Sequence, residues 1–94
     1  FNKIEISDWL KIKNKKLKIR TWKKGDDFQP LGMNGRQKVS DFLINQKIDR
    51  ISKFSQYVFT ADEEIFWVCG KRISNWARIT EETLEVATLV YKNR

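Results

Sequence analysis

Residues 57–69, YVFTADEEIFWVC, contain the strongest fold signal in the chain. Two apolar segments, Tyr57 to Ala61 and Ile65 to Cys69, flank the polar pair Asp62-Glu63, and this arrangement is typical of a β-hairpin. The second segment is too apolar for a strand with one face in water, because no polar side chain alternates with the apolar ones. It is therefore predicted to be a central strand of a sheet.

Two short helices are predicted before this hairpin. The first has apolar side chains at helical spacing, namely Val39, Phe42 and Leu43. Ser40 is predicted to cap this helix, and Asp41 in its first turn is stabilised by the helix dipole. Asp49 is predicted to cap a second short helix that carries Ile51 and Phe54.

A last strand is predicted from Thr83 to Lys92, where side chains of one face alternate with those of the other. One of these faces consists of Leu84, Val86, Thr88 and Val90. Strands outnumber helices, and the helices lie together in the middle of the chain. The predicted fold class is therefore α+β.

The positive charge is concentrated near the start of the chain, where every charged residue from Lys11 to Lys24 is basic. Within this segment apolar and basic residues alternate, which predicts a hairpin with a tight turn at Asn14-Lys15. That register pairs Ile12 with Leu17, and it places Lys11 opposite Lys18 on the other face. Facing lysines favour either a surface that binds phosphate or a solvated strand pair kept soluble by its charge.

The composition limits the kinds of protein that the chain can be. Its 94 residues suffice for one domain with a core, residues 1–94, and 40% hydrophobic residues argue against disorder. A net charge of +7 favours a polyanionic partner, either nucleic acid or an anionic membrane surface. No apolar run approaches the roughly 18 residues of a membrane span. Because the sequence begins at Phe1 without a signal-peptide pattern, it is expected to be a piece of a longer protein.

No catalytic or metal site is predicted. The chain has no His, and its single Cys69 ends an apolar strand, where a buried and unreactive thiol is expected. One cysteine also forms no internal disulfide and suits a reducing cytoplasm. The adjacent carboxylates Asp26 and Asp27 are expected to point apart from a turn and to face water. The glycine-rich segment lacks the Gly-Lys-Ser/Thr sequence of a phosphate-binding loop.

Three features suggest contact with nucleic acid, and each has a structural alternative. Trp22 precedes Lys23 and Lys24 and is either a base-stacking residue or part of the core. The segment from Gly32 to Gly35 matches the Gly-x-x-Gly loop of KH domains, although a simple turn is the preferred interpretation.

The third feature is the start of the first predicted helix. Arg36 and Lys38 follow Gly35 and precede a helix N-terminus, which together predict a phosphate site. An ordinary capped helix with two solvated cations is the alternative, because Asp41 already complements the helix dipole.

The sequence resembles the C-terminal domain of tRNA(Ile)-lysidine synthetases. The likeness runs from about Arg20 to Thr83. The segments that carry it are 20–32 (RTWKKGDDFQPLG), 37–42 (QKVSDF), 47–50 (KIDR), 65–68 (IFWV) and 70–73 (GKRI). The resemblance implies an unusual β-sandwich with helices, a domain type shared with part of the phenylalanyl-tRNA synthetase β subunit. Departures occur at the hairpin, where the family often has Asp-Gly, and at Ile48-Asp49, where it often has Pro.

The resemblance also implies a function. The family's bacterial enzyme activates the wobble cytidine of an isoleucine tRNA with ATP and magnesium and attaches lysine, in a domain that has no counterpart in this sequence. The C-terminal domain helps to grip the tRNA acceptor stem and has no cofactor of its own. The expected partners are therefore tRNA and the enzyme's own N-terminal domains, in the cytoplasm and without a membrane.

Ten basic residues are predicted to contact the RNA: Lys11, Lys18, Lys23, Lys24, Arg36, Lys38, Lys47, Arg50, Lys71 and Arg72. Two alternative functions are a structural module that packs against its neighbours without touching RNA and a free-standing nucleic-acid binder of the KH type.

Overall fold

A computed structural model describes residues 2–92 of the chain. Its elements are β1 (Asn2–Asp8), α1 (Trp9–Ile12), β2 (Leu17–Thr21), β3 (Asp27–Phe28), β4 (Gln37–Lys38), α2 (Val39–Asn45), α3 (Arg50–Phe54), β5 (Tyr57–Ala61), β6 (Glu64–Val68), β7 (Arg72–Ile73), a 3-10 turn (Asn75–Ala77) and β8 (Val86–Lys92). Short helices and several antiparallel strands make this a small α+β fold, as predicted.

The strands form three antiparallel sheets. A four-stranded sheet has the order β2-β5-β6-β7, β1 pairs with β8 as a ribbon, and β3 pairs with β4. The predicted hairpin is confirmed as β5 and β6, and β6 has a neighbour on each side, as its apolar sequence indicated. The turn between these strands places Asp62 and Glu63 at φ 49° and 72°, a left-handed geometry that favours Gly or Asn.

Each face of the four-stranded sheet carries its own hydrophobic cluster. On one face Trp67, Phe66 and Ala61 pack with Ile12 and with Leu89 of the ribbon. On the other face Val58, Ile65 and Val68 pack with side chains of β3 and α2, namely Phe28, Val39, Phe42 and Leu43. The sheet is therefore the middle layer of a sandwich, between the β1–β8 ribbon and a layer that contains α2.

The predicted basic hairpin of residues 10–19 is wrong. Trp9–Ile12 is a helical turn because the Asp8 carboxylate accepts a hydrogen bond from Leu10 N (3.1 Å) and Ile12 is buried in the core. Strand β2 pairs instead with β5, so that Lys18 lies opposite Thr60 and Lys11 faces no strand partner. A local hairpin would neither bury Ile12 in the core nor pair β2 with β5 in the four-stranded sheet.

The two helix starts differ in how they are capped. Strand β4 runs directly into α2, so Lys38 rather than Ser40 occupies the cap position, and no side chain caps the helix. Val39 N is satisfied instead by the carbonyl oxygen of Asp26 (2.9 Å). The predicted cap of α3 is confirmed, because the Asp49 carboxylate accepts a hydrogen bond from Ser52 N (2.9 Å).

The last strand begins at Val86, three residues after the predicted start at Thr83. The Thr83 hydroxyl donates a hydrogen bond to the Asp8 carboxylate (2.9 Å). It also accepts one from Thr80 N, which closes residues 80–83 into a turn. The face formed by Leu84, Val86, Thr88 and Val90 is exposed, and Leu89 on the opposite face is buried in the core.

Candidate nucleic-acid interface

Three of the ten predicted RNA-contacting residues form ion pairs with carboxylates of residues 2–92. Lys11 Nζ donates to the carbonyl oxygen of Arg78 (3.1 Å) and lies 4.0 Å from the Asp8 carboxylate. Lys18 Nζ lies 3.8 Å from the Glu63 carboxylate. The third residue, Arg36, has two acidic partners.

Arg36 connects the start of β4 to two other strands. Its guanidinium donates to the carboxylates of Asp27 (2.7 Å) and Glu64 (3.2 Å). The hydrogen bond from Arg36 lowers the pKa of Asp27, and the same bond raises the pKa of Arg36. Two cations are predicted to bind a phosphate at the start of α2. Lys38 makes no ion pair with the described residues, whereas Arg36 makes two.

The other seven predicted residues make no ion pair with a carboxylate of residues 2–92; they are Lys23, Lys24, Lys38, Lys47, Arg50, Lys71 and Arg72. Two of them lie beside α2: Lys38 directly precedes it, and the Arg72 guanidinium is 5.5 Å from the centroid of the Phe42 ring. The remaining five lie on three chain segments, the turn after β2, the region of α3 and the turn after β6.

Trp22 attaches the first of these segments to α3. Its indole N–H donates to the carbonyl oxygen of Lys53 (2.6 Å), and its backbone N–H donates to the carbonyl oxygen of Gln56 (3.1 Å). The Lys53 ammonium lies 5.6 Å from the centroid of the Trp22 ring. These contacts place Lys23 and Lys24 next to the end of α3. They also favour the structural interpretation of Trp22, which is half-buried against the core.

Gln56 attaches the third segment. Its side chain is buried, and its amide donates to the carbonyl oxygens of Tyr57 (2.8 Å) and Cys69 (2.9 Å). The end of α3 is thereby joined to the end of β6, and Lys71 follows two residues later. A buried amide with both bonds satisfied is costly to displace, so the position of Lys71 relative to α3 is fixed by packing.

A polar cavity of about 270 Å³ lies between the region of α3 and the turn after β6. Its walls include Lys47, Asp49, Ser52, Ser55, Lys71 and Tyr91. The Asp49 carboxylate is occupied by the backbone N–H (2.9 Å) and hydroxyl (2.8 Å) of Ser52, and these bonds lower the pKa of Asp49. The two ammonium groups thus share the cavity with one carboxylate that already serves as a helix cap.

We call this region the α3 basic surface and define it as Lys23, Lys24, Lys47, Arg50, Lys53 and Lys71. Five of these six residues are among the ten predicted from the sequence to contact RNA, and that contact stays a prediction. Lys53 is not among the ten, because its place on α3 next to Trp22 depends on tertiary contacts.

Ile51 and Phe54 are the two large apolar side chains of α3, and both face solvent. Their spacing in the sequence is that of a core-facing pair, but their side chains are 83% and 75% exposed. No residue of α3 is buried. The helix is held instead by its flanks, where Ile48 and Trp22 pack against the hydrophobic cluster on the α2 side of the sheet.

The remaining chemical candidates are structural. Burial raises the pKa of the Cys69 thiol to about 12, in keeping with the unreactive thiol predicted. Asp26 does not face water as expected, because it pairs with Arg20 through two hydrogen bonds of 2.8 and 3.1 Å. Gly32 to Gly35 lie between two strands, β3 and β4, and not between two helices as a KH loop requires.

Residues 2–92 contain neither a metal-ligand cluster nor a membrane-spanning helix. No group of three His, Cys, Asp or Glu side chains in this part of the chain could hold a metal ion. None of the helices described there is long and apolar enough to cross a membrane.

Comparison with known proteins identifies relatives along most of the chain. Residues 17–87 match the family model described as the TilS substrate C-terminal domain. A tRNA(Ile)-lysidine synthase of Parabacteroides distasonis is 44% identical over 70 residues, which cover 74% of this chain. The tRNA(Ile)-lysidine synthase of Caldanaerobacter subterraneus subsp. tengcongensis is 34% identical over 97% of this chain.

The matched segments are only 16% and 20% of these two relatives, so the chain spans about a sixth to a fifth of their length. A solved structure described as the crystal structure of the TILS C-terminal domain has the same fold, with a TM-score of 0.76. That match covers 94% of this chain and 67% of the solved one, at 22% sequence identity.

Proposed function

The chain belongs to the TilS substrate C-terminal domain family, and we propose that it is the non-catalytic tRNA-binding module of a tRNA(Ile)-lysidine synthase. In this proposal it holds the acceptor stem of isoleucine tRNA. Other domains of the same enzyme, in the cytoplasm, use ATP and magnesium to attach lysine to the wobble cytidine. The observation that carries the proposal is the α3 basic surface, where cations from three segments make no ion pair with a carboxylate of residues 2–92.

Phosphate binding requires cations that are not already paired with a carboxylate and can exchange hydrating water for RNA phosphates. Lys47, Arg50 and Lys71 meet this condition, because no carboxylate of the described chain lies within 4.0 Å of their charged groups. Each phosphate that they neutralise releases counterions from the RNA, which provides sequence-independent affinity. Trp22 and Gln56 fix the segments beforehand, so little order has to be created on binding.

A domain that holds a remote part of the tRNA supports catalysis at the anticodon, because it helps to align the reacting nucleotide in the active site of another domain. Binding energy from a part of the substrate that does not react can be used to orient the reacting centre. A rigid domain that holds the acceptor stem would fix the distance to the anticodon, where the lysine is attached. The chain needs no acid, base or nucleophile of its own for this role.

A second function, packing against the rest of the synthase, is favoured by the β1–β8 ribbon. Its outer face exposes Ile6, Val86 and Val90, with 46 to 53% of each side chain in contact with solvent. Such a face is typical of a surface that another domain covers. These three side chains lie on the face of the ribbon opposite the buried Leu89, whereas Tyr91 of the same strand lines the α3 cavity, so packing on the outer face and RNA binding at α3 are compatible.

The test compares two triple variants with equal loss of charge. Lys47→Gln, Arg50→Gln and Lys71→Gln together alter the α3 basic surface. Lys11→Gln, Lys15→Gln and Lys18→Gln remove lysines that lie 3.8 to 4.0 Å from carboxylates. The affinity of the chain for isoleucine tRNA is measured over a range of salt concentrations, with an acceptor-stem minihelix and an anticodon stem-loop as competitors.

The first triple variant should flatten the log–log salt slope by about 2 to 3, because each lost phosphate contact removes roughly 0.7 to 0.9. The second should change it by less than about 1, because its lysines are already paired. The minihelix should displace the tRNA and the stem-loop should not. Equal slopes for the two variants, or absence of tRNA binding by the unaltered chain, would leave only the packing function.

A further inference from the structure

The exposed side chains of α3 point to a contact that charge alone does not explain. Ile51 and Phe54 lie three residues apart and therefore occupy the same side of the helix. These residues are 83% and 75% exposed, so most of their apolar surface is in contact with water, unlike that of the core residues. Single exposed apolar residues are common on proteins, but here two adjoin one another on one short helix.

The fold does not need these side chains. Helix α3 buries none of its residues and is held by contacts on either side of it. On one side its N-terminus is capped by Asp49, and on the other Trp22 Nε1 donates to the carbonyl oxygen of Lys53. Polar residues at positions 51 and 54 would therefore leave these attachments intact.

Basic residues surround the apolar pair. Arg50 and Lys53 lie on the same helix, Lys47 precedes it, and Trp22 places Lys23 beside its end. The acid within this group, Asp49, is engaged with Ser52. A partner that matches this surface carries negative charge next to a flat apolar face, and an unpaired nucleotide has both in its phosphate and its base.

Resting on the proposed function, we propose that Phe54, supported by Ile51, is a stacking platform for an unpaired nucleobase of the RNA bound at the α3 basic surface. The base lies against the Phe54 ring while the cations of α3 contact the adjoining phosphates. Stacking on an aromatic side chain tolerates any base, so the contact adds affinity without selecting a sequence.

The test uses a blunt RNA duplex and the same duplex with a short unpaired 3′ extension. Their affinities for the unaltered chain are compared with those for Phe54→Ala, Phe54→Trp and Leu84→Ala. Leu84 is the matched control, because it is 82% exposed and precedes β8. Six residues of turn and strand, roughly 20 Å when extended, separate it from Tyr91 at the α3 cavity.

The extension should raise the affinity of the unaltered chain about tenfold, the effect of stacking one base on an aromatic side chain. Phe54→Ala should abolish this gain, whereas Phe54→Trp and Leu84→Ala should retain it. The salt slope should be unchanged in Phe54→Ala, because no phosphate contact is lost.

Two results would overturn the proposal, and they differ in what they leave. If Phe54→Ala keeps the full gain while Arg50→Gln flattens the salt slope, RNA binds at α3 without stacking on Phe54. If the unaltered chain binds neither RNA, the proposed function fails as well. Circular dichroism of each variant verifies that it is folded.

Discussion

At the residue scale, the ion pair between Arg20 and Asp26 fixes the turn that presents Lys23 and Lys24. Asp26 accepts two hydrogen bonds from the guanidinium and one from Lys23 N (2.8 Å), and its side chain is 9% exposed. Burial opposes the charged carboxylate, but the hydrogen bonds outweigh burial and lower the pKa of Asp26. The ionised form is therefore the one that stabilises the fold.

We predict that Asp26→Asn lowers the free energy of unfolding by about 2 kcal/mol at pH 7, the contribution of hydrogen bonds to a charged group. A lowered pKa stabilises the folded state above the carboxyl's ordinary value, near 4, and this stabilisation is lost as the pH falls below it. The difference between the variant and the unaltered chain should therefore shrink below about pH 4. Urea unfolding at pH 7 and at lower pH measures it.

Asp27→Asn is the matched control for this prediction. Asp27 pairs with Arg36, but both side chains are about half exposed, and exposed ion pairs contribute up to about 1 kcal/mol. Equal losses of stability for the two variants at pH 7 would show that the partly buried pair of Arg20 and Asp26 has no special role in the turn.

Individual residues differ in how well the sequence predicts them. Cys69 as a buried thiol and Asp49 as a helix cap follow from their immediate neighbours, and both are confirmed. Ser40 fails as a cap because the start of α2 is set by the pairing of β3 with β4, which no local pattern reveals.

At the scale of the elements, the link between α2 and α3 holds one residue in an energetically unfavourable backbone conformation. Lys47 follows the end of α2 with a φ of 57°, the left-handed conformation in which helices usually have Gly. The backbone there closes with a hydrogen bond from Ile48 N to the carbonyl oxygen of Leu43 (3.2 Å). A lysine at this position places an ammonium at the α3 cavity at some expense of stability.

We predict that Lys47→Gly raises the free energy of unfolding by up to about 1 kcal/mol, because glycine adopts the left-handed conformation without steric cost. The same substitution should weaken tRNA binding through the lost cation. Lys47→Gln separates the two effects, since it removes the charge but keeps the side chain on the strained backbone.

Urea unfolding and tRNA titration of both variants test this prediction. The expected outcome is equal loss of RNA affinity, with a gain in stability for Lys47→Gly alone. Undiminished RNA affinity in both would remove Lys47 from the interface.

The hairpin of β5 and β6 is predicted well from the sequence, because two apolar runs flank a polar turn. The alternation of residues 10–19 is a regular pattern, yet it produces a helical turn followed by a strand. Its local signal is overruled because Ile12 fills the core and β2 finds a better partner in β5. The apolar spacing of α3 misleads in the same way, since Ile51 and Phe54 are exposed.

At the scale of the whole molecule, the fold separates two kinds of surface. The ribbon of β1 and β8 covers one face of the central sheet and turns apolar side chains outward. The seven predicted RNA-contacting cations that make no ion pair with residues 2–92 lie around α2 and α3. Net charge and clustering along the sequence predicted a basic surface, but only the tertiary contacts of Trp22 and Gln56 show which cations meet. The densest basic segment, residues 11–24, is partly neutralised by carboxylates from outside it, namely Asp26, Asp62 and Glu63.

The central claim is that RNA contacts the chain at the α3 basic surface, and amide chemical shifts measured by NMR during titration with an acceptor-stem minihelix test it most directly. The largest changes should fall in residues 47–56, with further changes at residues 23–24 and 70–72. Changes concentrated in residues 11–18 or along the β1–β8 ribbon, with α3 unaffected, would contradict the claim.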